Sequence, residues 1–219
     1  MGFFDKRGPE AEQEPEIPRW KPWMGAPPGW VGGYVPWQML LFKTPSAYGL
    51  LRNFEAFPDG LQFSLVTKVR GNDRDADGLP LGSRRRMGTF ELRLGVVFSD
   101  GRIARSDDHH SWGDDVDPST PQLHAGGGSG GGGLVWTQET KWWLWPLPPA
   151  GQLKWIVEWE EGGVHETSTE IDASIIHEAA TKAEKIWDIN PDDRTGHGSG
   201  STTSSRTRPN GKNLDPGVK

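Results

Sequence analysis

The sequence predicts a mostly β protein, an antiparallel β-sandwich of about seven strands with one C-terminal α-helix packed on it. Apolar and polar residues alternate with period two over 61–70 and again over 90–98, which is typical of half-buried strands. Turn sequences stand directly beside these alternations, Pro-Asp-Gly at 58–60 and Ser-Asp-Gly at 99–101. Near the end, apolar residues recur at helical spacing after Asp172, a suitable N-cap. Several strands with short turns and one long excursion favour a sandwich.

The individual elements follow from the same patterns. We predict strands over 35–43, 48–57, 61–70, 90–98 and 102–105, then 134–145 paired with 152–160 around a proline-rich turn, and an edge strand over 164–171 that is polar on both faces. The helix is expected to bury the stripe Ile175, Ile176, Ala179, Ala183, Ile186 and Trp187 against the strands.

Composition divides the chain into a folded middle and two polar ends. Residues 1–16 are acidic and residues 188–219 are rich in Gly, Ser, Thr and Asp, so both are predicted to be disordered. Residues 17–187 are predicted to form a single domain that begins with a Trp/Pro strap and contains a flexible loop over 106–133. Within that loop, residues 126–133 are all Gly or Ser and predict a coil. A linker between two domains is the alternative, but too few strands follow it to close a second core.

Charge and cysteine content exclude several classes of protein. The formal net charge of -6 argues against a nucleic-acid binder, which would carry a basic surface. The absence of Cys excludes disulfides, thiolate catalysis and cysteine-based metal sites. No apolar run approaches the roughly 18 residues of a membrane span, and the first residues lack the apolar region of a secretory signal. The expected location is the cytoplasm.

Tryptophan is unusually abundant, with 12 residues in 219. Trp155 and Trp159 share parity with apolar neighbours and are expected in the core. Trp143 and Trp145 share parity with charged residues of their strand, which predicts that they face outward, where they could stack on a flat ligand or a sugar. The strap is the element expected to cover them if they are buried. Its Trp20 and Trp23 are candidate ligand contacts or, with the rest of the strap, a docking peptide for another protein.

An Asp/His cluster is the second candidate site. Asp107, Asp108, His109, His110 and Asp114 could hold a divalent ion if the loop folded around it. Their spacing matches no known ligand pattern, and solvated charge is the simpler explanation. The glycine run lacks the spacing of a phosphate-binding loop. No cofactor is therefore predicted, and no catalytic residue is assigned.

Several sequence features together resemble a family of bacterial proteins from high-GC genomes that has no assigned activity. These features are the strap PRWKPWMGAPPGW (18–30), the turn FSDGR (98–102), the glycine run leading to WLWPLPP (143–149), the pair Glu158-Trp159 and the closing helix. The resemblance covers about residues 17–187 and implies that the segment from strap to helix is one unit. It implies no functional residues.

These observations favour a non-catalytic protein-interaction or scaffold module whose partner is another protein. Two alternatives remain open. One is a carbohydrate- or small-ligand-binding module that uses exposed Trp faces, and the other is a metal-dependent hydrolase with its site on the Asp/His loop. The sequence leaves the oligomeric state open.

Overall fold

The computed structural model of the protein describes residues 20–71, 92–108, 117, 119–131 and 133–189. They belong to one compact unit, residues 1–189, and the second unit, residues 190–219, lies outside the described residues. The predicted disordered segment 1–16 therefore lies outside the description, as does the predicted disordered segment 188–219 apart from residues 188 and 189. No helix among the described residues is long and apolar enough to cross a membrane.

The fold is mostly β with antiparallel sheets and one helix, as the sequence predicts. The strands are β1 (Trp30–Val31), β2 (Gly33–Val35), β3 (Met39–Lys43), β4 (Ala47–Ala56), β5 (Leu61–Arg70), β6 (Arg93–Val97), β7 (Ile103–Arg105), β8 (Gln122–Gly131), β9 (Val135–Trp145), β10 (Gln152–Trp159), β11 (Val164–Asp172) and β12 (Glu184–Lys185), and the helix is α1 (Ser174–Ala180).

The larger sheet contains six strands in the order β2-β4-β5-β9-β8, with β3 also paired to β4. The β4–β5 hairpin forms at the predicted Pro-Asp-Gly turn, where the Phe57 N–H donates to the Gly60 carbonyl at 2.8 Å. β5 then pairs with β9 along its whole length. The other side of β9 pairs with β8, which forms one edge of this sheet.

The smaller sheet has four strands in the order β11-β10-β6-β7. The β6–β7 hairpin closes at the predicted Ser-Asp-Gly turn, with the Phe98 N–H donating to the Arg102 carbonyl at 2.8 Å. β11 pairs only with β10 among the described residues and is an edge strand, as predicted. Apolar side chains from both sheets share one buried cluster, in which Trp155 and Trp159 are fully enclosed, as expected.

Several sequence predictions of local structure are wrong, because distant partners or prolines decide the outcome. β9 and β10 do not pair with each other, since they lie in different sheets. Three prolines in the connection 146–149 cannot donate hydrogen bonds to a ladder, and the chain passes there from one sheet to the other. The Gly/Ser stretch predicted as a coil is instead strand β8 through Gly131, because β9 supplies a backbone partner on its side.

The third difference is the helix, which ends at Ala180 rather than near Trp187. Beyond it the chain becomes extended, because β12 finds a backbone partner in β1. The N-cap is Ala173, with no side-chain cap, and not the predicted Asp172, which is the last residue of β11. The Ser174 N–H donates to Asp172 Oδ1 at 2.9 Å, and this hydrogen bond lowers the pKa of Asp172. Ile176 and Ala179 are the buried residues of the helix.

The strap contains two turns. The Met24 N–H donates to the Lys21 carbonyl at 2.9 Å, with Pro22 at the second turn position, which favours its fixed φ. The Trp30 N–H donates to the Pro27 carbonyl at 3.3 Å, and Gly29 has a φ of 82°, the left-handed conformation that a Pro-Gly turn requires.

Candidate functional site

Trp143 and Trp145 lie on the face of the larger sheet that points away from the main core. Their neighbours Trp142 and Leu144 belong to the main buried cluster, and strand alternation sends the intervening side chains to the opposite face. Trp143, Trp145 and Phe57 form a second cluster there. All three are buried, so the rings do not form an exposed platform.

The strap is the element that covers these rings. The Trp143 indole Nε1 donates a hydrogen bond to the Pro22 carbonyl at 3.0 Å. Trp23 meets Trp145 edge-on with ring centroids 5.8 Å apart, and Ala26 and Trp30 pack on the same cluster. The strap thus forms a lid over the position where the sequence placed a ligand platform. The prediction of ligand binding by Trp143 and Trp145 stays a prediction and would require that lid to move.

The strap tryptophans divide between exposed and covered positions. Trp20 is 40% exposed at the start of the described chain. Trp23 is half-buried, its ring lies 5.7 Å from Lys21 Nζ, and its indole Nε1 is buried without a hydrogen-bond partner among the described residues. Trp20 is therefore the one of the four predicted ligand-binding tryptophans whose ring is open to solvent.

Beside the aromatic cluster, the same sheet face carries a polar group centred on Glu139. Arg52 Nη2 donates to Glu139 Oε2 at 2.8 Å, and the buried Ser64 hydroxyl also hydrogen-bonds this carboxylate. Partial burial raises the pKa of Glu139, but these hydrogen bonds and the charges of Arg52 and Lys141 outweigh that effect and bring the pKa below its usual value. A carboxylate held ionised in this way has a structural role, since the groups described around it are donors or cations of the same sheet.

The Asp/His candidate site lies mostly outside the described residues. Asp107 and Asp108 are described and exposed, in the turn that follows β7, whereas His109, His110 and Asp114 are not described. Among the described residues, no group of three or more His, Asp or Glu side chains is placed to hold a metal ion. The predicted metal site remains a prediction.

The sequence did not anticipate an exposed apolar patch where β1 meets β12. It consists of Val31, Ile186, Trp187 and Ile189, and we call it the terminal apolar patch. The Ile186 N–H donates to the Gly29 carbonyl at 2.8 Å, which brings this segment onto the strap. A Cβ on Gly29 would lie 3.1 Å from side-chain atoms of both Trp187 and Ile189, so the two side chains converge over a residue that has none.

Trp187 is 59% exposed in this patch. The helical spacing of apolar residues over 175–187 predicts a buried stripe that includes Ile186 and Trp187. Because the sequence predicts both side chains to be buried, it does not indicate this exposed patch. The signal that could have revealed it is the Pro-Pro-Gly sequence at 27–29, which creates the turn on which these side chains lie.

Two further surface features are an exposed apolar connection between β8 and β9 and an open groove on the smaller sheet. Leu134, in the connection between β8 and β9, is 96% exposed, and the adjacent Val135 is exposed as well. On the outer face of the smaller sheet, an open groove of about 270 Å³ lies over Gly95, with Ile103 and Ile156 in its floor and an Arg93–Glu158 ion pair at its side.

Comparisons of the chain with protein-family models, with curated proteins and with solved structures give no significant match. The resemblance described from the sequence therefore stays a prediction, and function has to be argued from the surface of the molecule itself.

Proposed function

We propose that this protein is a non-catalytic interaction module that binds another protein through the terminal apolar patch. The observation that carries the proposal is that the exposed side chains of Trp187 and Ile189 converge over Gly29, with exposed Val31 and Ile186 on the segments paired there. Contiguous exposed apolar surface marks interaction sites in soluble proteins. Tryptophan is also among the residues most enriched at the energetic centre of protein interfaces.

The rim of the patch supports a protein as the partner. Lys185 and Asp188 form an ion pair beside it, and Glu184 lies opposite Val31 in the β1–β12 ladder. An apolar centre with a polar rim of both charge signs is the ordinary composition of a protein–protein interface. A nucleic acid or an anionic membrane would instead favour a basic rim, and the chain carries a net charge of -6.

The test compares the partners of the wild-type chain with those of a patch variant, Trp187→Ser with Ile189→Ser. Leu40→Ser is the matched control, because Leu40 is also exposed but lies on β3. A partner recovered with the wild type and the control is purified, and its affinity for each chain is measured by calorimetry. Removing a central tryptophan anchor should weaken binding by at least about tenfold in the patch variant alone. Equal affinity of all three chains for every partner would overturn the proposal.

A second candidate function is glycan or small-ligand binding by exposed Trp faces, which the solvent exposure of Trp20 and Trp187 favours. Quenching of tryptophan fluorescence by a panel of glycans would detect it, with Trp20→Ser and Trp187→Ser as variants that lose the response. The absence of quenching by any glycan would remove this candidate.

We further propose that the two sheets form a β-sandwich and that the protein acts in the cytoplasm. The buried cluster shared by both antiparallel sheets supports the sandwich. The absence of Cys supports a reducing compartment, where disulfides would not form.

A further inference from the structure

The rings under the strap are positioned by the larger sheet. Trp143 and Trp145 lie on β9, and Phe57 lies in the β4–β5 turn, where it meets Trp143 edge-on with ring centroids 5.7 Å apart. A Cβ on Gly60 would lie 2.6 Å from the Trp143 ring, so this ring packs directly against the same turn. None of these contacts involves the strap. We call the three rings the aromatic face.

The strap brings a proline carbonyl and an indole ring to the aromatic face. The Pro22 carbonyl accepts a hydrogen bond from Trp143 Nε1 at 3.0 Å. The next residue, Trp23, meets Trp145 edge-on with ring centroids 5.8 Å apart. Grooves lined by aromatic rings recognise proline-rich segments, and a buried indole N–H in such a groove needs an acceptor. The strap therefore contacts the aromatic face with the chemistry of a proline-rich peptide ligand.

Residues 20–28 of the strap are not paired to any strand. The backbone-to-backbone hydrogen bonds described for them are those of the two turns within the strap. Backbone bonding to a distant part of the chain begins at Gly29, whose carbonyl accepts from the Ile186 N–H. A segment without ladder hydrogen bonds opens locally at a lower free-energy cost than the sheet on which it lies.

The Trp23 indole opposes closure of the strap. Its Nε1 is buried and has no hydrogen-bond partner among the described residues. A buried donor without an acceptor loses its hydrogen bond to water and gains none in return. Opening of the strap returns this N–H to water. The closed strap is therefore less stable than its ring contacts alone would make it.

We propose that the aromatic face is a binding site for a proline-rich peptide of another protein that carries a Pro-Trp pair, and that the strap is an internal ligand that closes the site. The partner peptide binds when the strap opens. Its proline carbonyl then accepts from Trp143 Nε1 and its indole packs on Trp145, where Pro22 and Trp23 lie in the closed chain.

The charge of the chain favours a different protein over a second copy as the source of this peptide. Two chains that each carry a net charge of -6 repel one another. The aromatic face also shares no residue with the terminal apolar patch, so this inference does not rest on the proposed function.

The first test uses a fluorescein-labelled peptide of residues 20–30, WKPWMGAPPGW, as the probe. Fluorescence anisotropy measures its affinity for the full chain, in which the tethered strap competes with it. Trp23→Ala removes the strap ring that contacts Trp145, so more chains are open and the probe should bind at least about tenfold more tightly. Trp20→Ala is the matched control, because this ring of the same strap is 40% exposed, and it should leave the affinity unchanged.

The second test changes the aromatic face itself in the Trp23→Ala chain. Adding Trp143→Phe keeps a ring but removes the N–H that donates to the peptide carbonyl, so the affinity should fall about fivefold. Trp136→Phe, on the opposite face of β9, should have no effect. On the side of the probe, Trp23→Ser should weaken binding at least about tenfold relative to Trp20→Ser.

Amide hydrogen exchange of the wild-type chain gives a measurement that needs no variant to fold. It is followed by NMR of the isotope-labelled chain with and without saturating unlabelled probe. Exchange at residues 23–26 should become faster, because the probe displaces them from the sheet, while exchange in β5 stays unchanged.

Absence of probe binding to both the wild type and the Trp23→Ala chain overturns the proposal, as do equal affinities of the Trp23→Ser and Trp20→Ser probes. Faster strap exchange with a glucose or N-acetylglucosamine oligomer, but not with the probe, would make the face a sugar site and overturn it. A wild-type dimer that Trp23→Ala dissociates would assign the face to the strap of a second copy and overturn it as well. The Trp187→Ser, Ile189→Ser variant should bind the probe with wild-type affinity, so this proposal and the proposed function fail separately.

Discussion

At the scale of single residues, the most informative group is Glu139 on the outer face of the larger sheet. Its pKa lies below the usual value because donors and cations surround it, despite the opposing effect of burial. A carboxyl whose folded-state pKa is depressed stabilises the fold above its unfolded-state pKa, about 4.3 for Glu. That contribution is lost as the pH falls through the folded-state pKa.

The substitution Glu139→Gln should therefore lower the free energy of unfolding at pH 7 by about 0.5–1 kcal/mol, the range of partly exposed ion pairs. The Arg52 side chain is 41% exposed, so solvent screening limits the effect. Urea unfolding at pH 7 and at pH 3 measures it, and the difference from the wild type should shrink at pH 3. Glu166→Gln, at an exposed position on β11, is the control. A difference that does not change with pH would contradict this explanation.

Single glycines also decide where elements can approach one another. A Cβ on Gly33 would lie 1.7 Å from the Ala179 carbonyl oxygen, so β2 and α1 can pack at this distance only because that side chain is absent. The sequence around Gly33 does not predict this contact, because α1 follows much later in the chain. Its role is visible only in the folded structure.

At the scale of elements, the sequence predicted what neighbouring residues decide. The hairpins at 58–60 and 99–101 formed as expected, because each joins adjacent strands through a turn whose residues specify it. β8 could not be predicted, since a Gly/Ser segment has no strand propensity of its own and depends on β9 for its pairing. The end of the helix could not be predicted either, because the residues that follow it form a ladder with β1, a distant strand.

The candidate sites show the same limit. Strand alternation correctly separated Trp143 and Trp145 from the main core, because parity is a local property. Their burial depends on a strap more than 100 residues away, which no local pattern describes. The terminal apolar patch was missed for a related reason, since Trp187 gains its position from Gly29.

The strap itself provides an element-scale prediction. Trp143→Phe keeps an aromatic ring but removes the indole N–H that donates to the Pro22 carbonyl. Loss of this hydrogen bond should cost about 1 kcal/mol and loosen the strap locally. Amide hydrogen exchange of residues 20–29 should become faster, while exchange in β5 stays unchanged. Trp136→Phe is the control, because it makes the same substitution on the opposite face of β9. If amide exchange of residues 20–29 became equally fast in this control, the lost hydrogen bond would not be the cause.

At the scale of the whole molecule, aromatic contacts connect the two sheets. Trp155 of β10 meets Phe63 of β5 and Phe54 of β4, with ring centroids 4.9 and 6.1 Å apart. Trp159 of β10 meets Phe42 of β3 at 5.9 Å. Edge-to-face geometry of this kind adds to the stabilisation from burial. Because each sheet buries its apolar face against the other, neither is expected to remain folded alone.

Trp155→Ala tests this interdependence of the sheets. Trp155 is fully buried, so its truncation should leave a cavity and lower the free energy of unfolding by about 3–5 kcal/mol. Since the lost contacts lie between the sheets, amide exchange in β5 and in β10 should rise together, although only β10 carries the substitution. Urea unfolding followed by far-UV and near-UV circular dichroism should give coincident transitions. Trp187→Ala, which truncates an exposed ring, should change stability by less than about 0.5 kcal/mol. Faster exchange confined to the smaller sheet would show instead that the larger sheet holds its structure without Trp155.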